Sequence, residues 1–188
     1  MEHWADFECA LAYHCAPSLV GIKAADLFSW PVEPGSRVAD YARAFADRGI
    51  CLRVLRRGAE RMLLLVYRPE RLAETLDGAE VRRLLDRAGY PPEATLEELL
   101  TILSRRLHGS SFPHEIGLFL GYPPEDVEGF CRHKGQNFKI CGCWKVYGDQ
   151  EAACRCFDRY DRCRKAVCRR LGQCPLMEMF RPLREQGA

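Results

Sequence analysis

Long apolar runs are missing from this chain. The longest, Met62 to Tyr67, has only a strand's length, far short of the roughly 20 residues that a bilayer-spanning helix needs. A secretory pattern is missing too. Asp6, Glu8 and His14 interrupt what would have to be an apolar stretch after a basic start, so the chain is expected to stay in the cytosol. Neither a Gly-x-Gly-x-x-Gly after a strand nor a lysine-bearing phosphate loop occurs, which removes the common nucleotide-binding arrangements. The Cys-x-x-Cys pairs typical of structural zinc sites are absent, as are internal repeats and low-complexity tracts.

What is present suits one globular domain. The chain has 188 residues, 47% of them hydrophobic, enough to bury a core without disulfide or metal staples. Its 11 cysteines are an odd number without an export signal, so most read as reduced, small, apolar residues. The net charge of +2 is unevenly placed: residues 1–130 carry 15 basic and 20 acidic side chains, residues 131–188 carry 13 and 6. Attraction between the two parts within one fold is the simpler reading, and a basic surface for an anionic partner is the sharper one.

Periodicity gives an outline of the elements. Ser18 to Ile22 is a short β-prone run after Pro17, leading into a loop bracketed by Pro31, Pro34 and Gly35. Ser36 is a plausible N-cap for a helix with Val38, Ala42, Phe45 and Ala46 on its apolar face, ending at Gly49. Ile50 to Arg57 alternates, with Ile50, Leu52 and Val54 on one face, and pairs across a turn at Gly58 with Met62 to Tyr67, a central strand covered on both sides. Helix follows from Glu70 to about Ala88, weak at Gly78, and then from Leu96 to Leu107, where Thr95 and Glu98 form a capping box. Short helices flank the Gly121-Tyr122-Pro123-Pro124 turn, around 114–120 and 124–133, the second ending at Gly135. Lys139 to Tyr147 alternates as a last strand, and Glu151 to Leu171 forms an amphipathic helix with Cys156, Phe157, Tyr160, Cys163, Val167 and Leu171 inward. The fold class expected is α+β: a small, mostly antiparallel sheet of three or four strands carrying helices, a single domain over 1–174, and a loosely packed tail over 175–188.

Phe112-Pro-His-Glu-Ile-Gly-Leu-Phe-Leu-Gly-Tyr-Pro-Pro-Glu-Asp-Val-Glu-Gly-Phe130, followed by Trp144-Lys-Val-Tyr-Gly-Asp149, resembles the signature of a bacterial family, domain of unknown function 3793. Cys15-Ala-Pro-Ser-Leu and Leu64-Leu-Val-Tyr-Arg68 are similar to its pattern in the same order, so the resemblance runs to about Cys163. It implies a compact bacterial protein and supplies no catalytic residue to carry over.

Several constellations could carry chemistry. Cys15 with His114 and Glu115 has the residue types of a thiol site, in which an imidazole lowers the thiol's pKa and a carboxylate orients the ring. The plainer alternative buries Cys15 and leaves His114 and Glu115 to cap their helix. His114-Glu115 begins like the zinc-protease helix motif, but Leu118 stands where the second histidine is needed. Cys141 and Cys143 would share a strand face, about 6.8 Å apart along it, tolerable for a shared ion. On the last helix, at about 100° per residue, Cys156 and Cys163 fall on the core side while Cys154 and Cys168 do not, so no single metal site is presented. A helix-turn-helix at Gly121 would offer Glu125, Asp126 and Glu128 to phosphates, the wrong charge, and nucleic acid is not an expected partner of the protein.

Arg155, Arg159, Arg162, Lys165 and Arg169 form a basic stripe on the last helix, either a solvated face or a seat for an acidic or anionic partner. The function expected is a non-catalytic binding or accessory protein using the 112–149 surface, with Trp144, Lys145, Tyr147 and Tyr122 as binding residues. A thiol-dependent enzyme or redox protein based on Cys15 and His114 is the alternative. No particular cofactor, metal or membrane contact is indicated.

Overall fold

The computed structural model describes residues 7–32 and 37–180, and its class is the α+β expected. By internal contacts the described residues group into two compact units, one within 7–69 and 160–180 and the other over 70–159.

The first unit opens with a helix that its own composition conceals. α1 (Phe7–Val20) buries Phe7, Ala10, Leu11, Ala12, Cys15, Ala16 and Leu19, and a helix buried nearly all round has no polar stripe to betray its period. The β-prone run expected at Ser18 to Ile22 is therefore the end of α1 and the turn after it. Pro17, which would break a helix interior, stands near the last turn. Its carbonyl accepts the N–H groups of Ile22 and Lys23, and Gly21 turns the chain at φ +85°.

The strands β1 (Ala25–Pro31), β2 (Cys51–Arg57) and β3 (Arg61–Tyr67) form an antiparallel sheet in the order β1-β3-β2. β3 is central, as its two-sided apolar pattern predicts, with Met62, Leu64, Leu65, Val66 and Tyr67 buried. Its pairing with β2 corrects the expected alternation. A bulge between Val54 and Arg56 inserts one residue, so Leu55 is buried and Val54 is 40% exposed.

One sheet face, through Phe28, Met62, Leu64 and Val66, joins α1 and α2 (Val38–Ala46) in a single core with Tyr41, Phe45 and Ile50. The expected cap, Ser36, lies outside the described residues; Gly49 ends the turn at φ +65°. Arg68 ties the helix ends to β3, its guanidinium donating to the carbonyls of Leu19 at 2.6 Å and Arg48 at 3.3 Å.

Residues 175–180, expected in the loose tail, dock on this same core. In α9 (Leu176–Met179) Leu176 is fully buried and its N–H donates to Glu8 at 2.5 Å, while the Phe180 ring meets Phe45.

The second unit is mostly helical. α3 (Pro69–Leu76) and α4 (Ala79–Arg87) are separated at Gly78, where the sequence pattern is weak. α5 (Leu96–Leu107) starts on the Thr95–Glu98 capping box and buries Leu99, Leu100, Leu103 and Leu107. α6 (Ile116–Phe119) and α7 (Pro124–His133) flank the Gly121 turn as expected.

The last expected strand is instead a small hairpin, β4 (Ile140–Cys141) with β5 (Lys145–Val146). Gly142 makes the reversal possible: the Phe157 ring lies 2.3 Å from where a Cβ would sit. A residue with a side chain would displace that ring, and the alternating pattern across 139–147 does not register this. α8 (Gln150–Leu171) begins in this unit and ends in the first, where Cys163, Val167 and Leu171 join the core.

Candidate functional site

In the second unit the motif residues converge on Asp126, in the first turn of α7. Asp126 is buried and accepts three N–H groups, from Trp144 Nε1 at 2.6 Å, Tyr147 at 2.6 Å and Gly148 at 2.7 Å. Hydrogen bonds to a carboxylate are stronger than neutral ones, and a carboxylate in a helix's first turn also faces the positive end of its dipole. The hairpin is thereby clamped to α7. Trp144, 8% exposed, stacks on Tyr122 at 4.9 Å and meets Phe157 edge-on at 4.6 Å. Gly129 admits the Tyr147 ring, whose Cγ lies 2.5 Å from the place of a Cβ. Asp149 then starts α8 by accepting the Ala152 N–H at 2.9 Å.

Glu115 is engaged in the same way. It accepts from Arg106 Nε at 2.6 Å and from the buried Tyr90 hydroxyl at 3.2 Å. Burial, with the Glu115 charge next, pushes the Tyr90 hydroxyl far above its ordinary range, so it stays a donor.

These bonds account for the polar groups of Trp144, Asp126 and Glu115, and leave a different set of side chains facing outward. Phe112 is 51% exposed and Phe138 38%. The His114 ring stands 5.8 Å from Phe112 and 4.9 Å from Phe130. Lys145 Nζ lies 5.8 Å from the Phe130 ring and 4.8 Å from Phe138, where a cation is attracted by both rings. Phe112, His114, Phe130, Lys145 and Phe138 thus form one continuous strip. Lys145 also caps the end of α7 by donating to the Gly135 carbonyl at 2.7 Å. Nearby, His133 stacks on Tyr147 at 5.6 Å.

The charge of the strip is one-sided. Between Gly129 and Gly148 the sequence holds Arg132, Lys134, Lys139 and Lys145 and no carboxylate. Arg132 lies 3.7 Å from Glu128; Lys139 donates to the Gly148 carbonyl at 2.6 Å. Asp149, near enough to Lys139 to feel its charge, is committed to α8.

Of the expected binding residues, Lys145 lies in the strip, Tyr147 is half-buried against Gly129, and Tyr122 and Trp144 stack on each other in the packing of the hairpin. Phe112, Phe130, Phe138 and Lys139 escaped the sequence reading. The carboxylate-free window from 129 to 148, crowded with rings and cations, is the signal that points to Phe130, Phe138 and Lys139; Phe112 lies outside it.

Cys15 and His114 are each accounted for within their own units. Cys15 is fully buried in the first unit's core. Burial, then the Asp26 charge, raise its thiol well above the ordinary value against the pull of Lys23, the direction opposite to an activated thiolate. Around it runs a closed polar set. Lys23 Nζ meets Asp26 at 2.6 Å, Asp26 accepts the Ser18 N–H at 3.0 Å, and the Ser18 hydroxyl donates to the Cys15 carbonyl at 3.0 Å.

The paired strand face expected for Cys141 and Cys143 does not form, because the chain reverses between them. Among the described residues no group of three or more His, Cys, Asp or Glu is placed to hold a metal ion. A shallow groove of about 580 Å³ along α5 is lined by Glu93, Glu97 and Glu98 with Arg105, a charge that suits no anion. No helix among the described residues is long and apolar enough to cross a membrane.

The profile of the family described as Protein of unknown function (DUF3793) covers residues 11–179. No curated protein and no solved structure matches the chain.

Proposed function

The chain belongs to this family of unknown function, and from that premise we propose that the protein is a non-catalytic binding protein whose 112–149 surface takes an anionic partner. One observation carries the reading: Phe112, His114, Phe130, Lys145 and Phe138 form a single strip, and the twenty residues 129–148, which supply its Phe130, Phe138 and Lys145, hold four cations and no carboxylate. Rings that could have been buried are held outward on a rigid base, because Asp126 fixes the hairpin and Gly129 lets it lie close to α7. Contact surfaces with such aromatic anchors are where binding energy concentrates. The setting we assign is the cytosol of a bacterium, in keeping with the free thiols of Cys131, Cys141 and Cys154 at the surface, which persist in a reducing compartment.

Heparin serves as the test probe. The protein is expected to be retained at about 50 mM salt and released as counterions compete. A Lys134→Gln/Lys139→Gln variant should elute at markedly lower salt, whereas Arg159→Gln/Arg169→Gln on α8 should elute nearly as the parent does. An unretained parent protein, or retention lost only in the α8 variant, would put the anion-binding face elsewhere and sink the proposal.

A further inference from the structure

Resting on that reading, we infer that the partner of the strip is a single-stranded nucleic acid, whose bases stack on Phe112, His114 and Phe138 while its phosphates pair with Lys134, Lys139 and Lys145. An anion without rings, such as a free phosphate or an acidic peptide, would need the cations only. It would leave Phe112 and Phe138, two of the most exposed large apolar side chains among the described residues, in water. A base has an apolar face for every exposed ring and a charge for every neighbouring cation, and this combination of stacking platform and positive track is how single strands are bound without sequence preference.

The order of groups along the strip fits that chemistry. Three rings, Phe112, His114 and Phe130, are followed by Lys145 and then by Phe138, with neighbouring groups 4.8 to 5.8 Å apart. Lys145 is already held by the Gly135 carbonyl and two rings, so little side-chain freedom remains to be lost when a phosphate arrives. His114 is exposed and flanked by rings, a position that suits it to stack on a base. Duplexes do not fit the same logic, because their bases present no free faces.

The inference is distinct from a helix-turn-helix. It uses the C-terminal end of α7 and the hairpin, while the acidic first turn of α7 is turned to internal work: Asp126 is buried on the hairpin, and Glu125 lies against Gly148.

The experiment measures fluorescence anisotropy of labelled 15-nucleotide oligo-uridine, oligo-deoxythymidine, a duplex of equal length and a polyglutamate peptide, alongside heparin retention. Circular dichroism checks that each variant is folded; Phe112 and Phe138 are exposed, so their replacement leaves the core intact. Single strands are expected to bind, the duplex at least about tenfold more weakly. Phe112→Ala/Phe138→Ala should weaken single-strand binding about 30-fold, from a stacking contribution of about 1 kcal/mol for each ring, and lower heparin retention far less than Lys134→Gln/Lys139→Gln does. Lys134→Gln/Lys139→Gln should flatten the dependence of log K on log salt by about 1.4, at about 0.7 for each phosphate contact.

The oligo-uridine and oligo-deoxythymidine arms tell whether RNA or DNA is preferred. Heparin retention without oligonucleotide binding, or oligonucleotide binding insensitive to the two phenylalanines, overturns the inference and leaves the anionic-surface reading standing. Polyglutamate bound as tightly as the single strands, with the same ring dependence, overturns it in favour of an acidic protein. Loss of both heparin and oligonucleotide binding brings down the reading and the inference together.

Discussion

Two buried carboxylates organise the two units, and they do so in opposite ways. Asp26 in the first unit is matched by a buried cation, Lys23, and by one backbone N–H; its charge is neutralised locally and the region closes over it. Asp126 in the second unit is matched by N–H dipoles alone, from Trp144, Tyr147 and Gly148. No lysine or arginine of the hairpin is used up in holding it. The same residue type therefore makes a sealed core in one place, and in the other a base under a surface that keeps its excess positive charge. Function is better sought where the cations are left over than where a thiol and a lysine merely lie close together.

The sharpest way to break this comparison is Asp26→Ala. It leaves the Lys23 ammonium and the Ser18 N–H buried without their acceptor, which is expected to cost about 3–5 kcal/mol, read as the urea midpoint. Lys23→Met/Asp26→Leu should recover most of that loss, since paired charges and apolar replacements of similar size are often equivalent in a core. Native Cys15 should be alkylated at least about 100-fold more slowly than Cys141 or Cys154, because it reacts only through opening of the unit, and Asp26→Ala should narrow that gap. Cys15 as the fastest thiol in the parent protein would instead return the thiol-enzyme reading to first place.

Asp126→Ala comes next. Three donors lose their acceptor, but the hairpin lies nearer to water than α1 does, so the expected cost is about 3 kcal/mol. Here the readouts should move together: Trp144 emission shifts to the red, and heparin retention falls as the strip loses its base. A variant that keeps full retention while the tryptophan environment changes would separate the strip from Asp126 and dissolve the contrast between the two carboxylates.

How far the sequence foretold these regions follows from what each element leaves on the surface. α5 was legible down to its capping box because Thr95 and Glu98 stand three apart before a leucine stripe. β3 was legible because its apolar run has only a strand's length. α1 was not, since a helix with Leu11, Cys15 and Leu19 inward and small alanines on its other sides has no polar face. The bulge at Leu55 and the reversal at Gly142 were hidden for a related reason: an alternating pattern continues through both, and only the neighbouring rings and strand register show that the chain has changed direction. The strip itself was half visible. Its charge bias is in the composition of 129–148, but the removal of Trp144 from the surface depends on the Asp126 clamp, which joins residues about twenty positions apart, and the exposure of Phe112 and Phe138 has no counterpart in any sequence pattern.

The smallest effect separates the hairpin's exit from its base. The Asp149 carboxyl is held below its ordinary value, chiefly by the Ala152 N–H and, more weakly, by the Glu151 N–H and the charges of Arg155 and Lys139. A carboxyl whose pKa is lowered by folding stabilises the fold fully above its unfolded value, near about 4, and that contribution is lost as the pH falls through the lowered folded value. Asp149→Asn keeps a good N-cap and removes only the charge. The melting temperatures of parent and variant should therefore differ by a small constant amount at neutral pH and converge below about pH 4. The gap should also shrink at high salt, because the site is exposed and its interactions are screened. A gap independent of pH would mean that Asp149 acts through the shape of the cap rather than its charge.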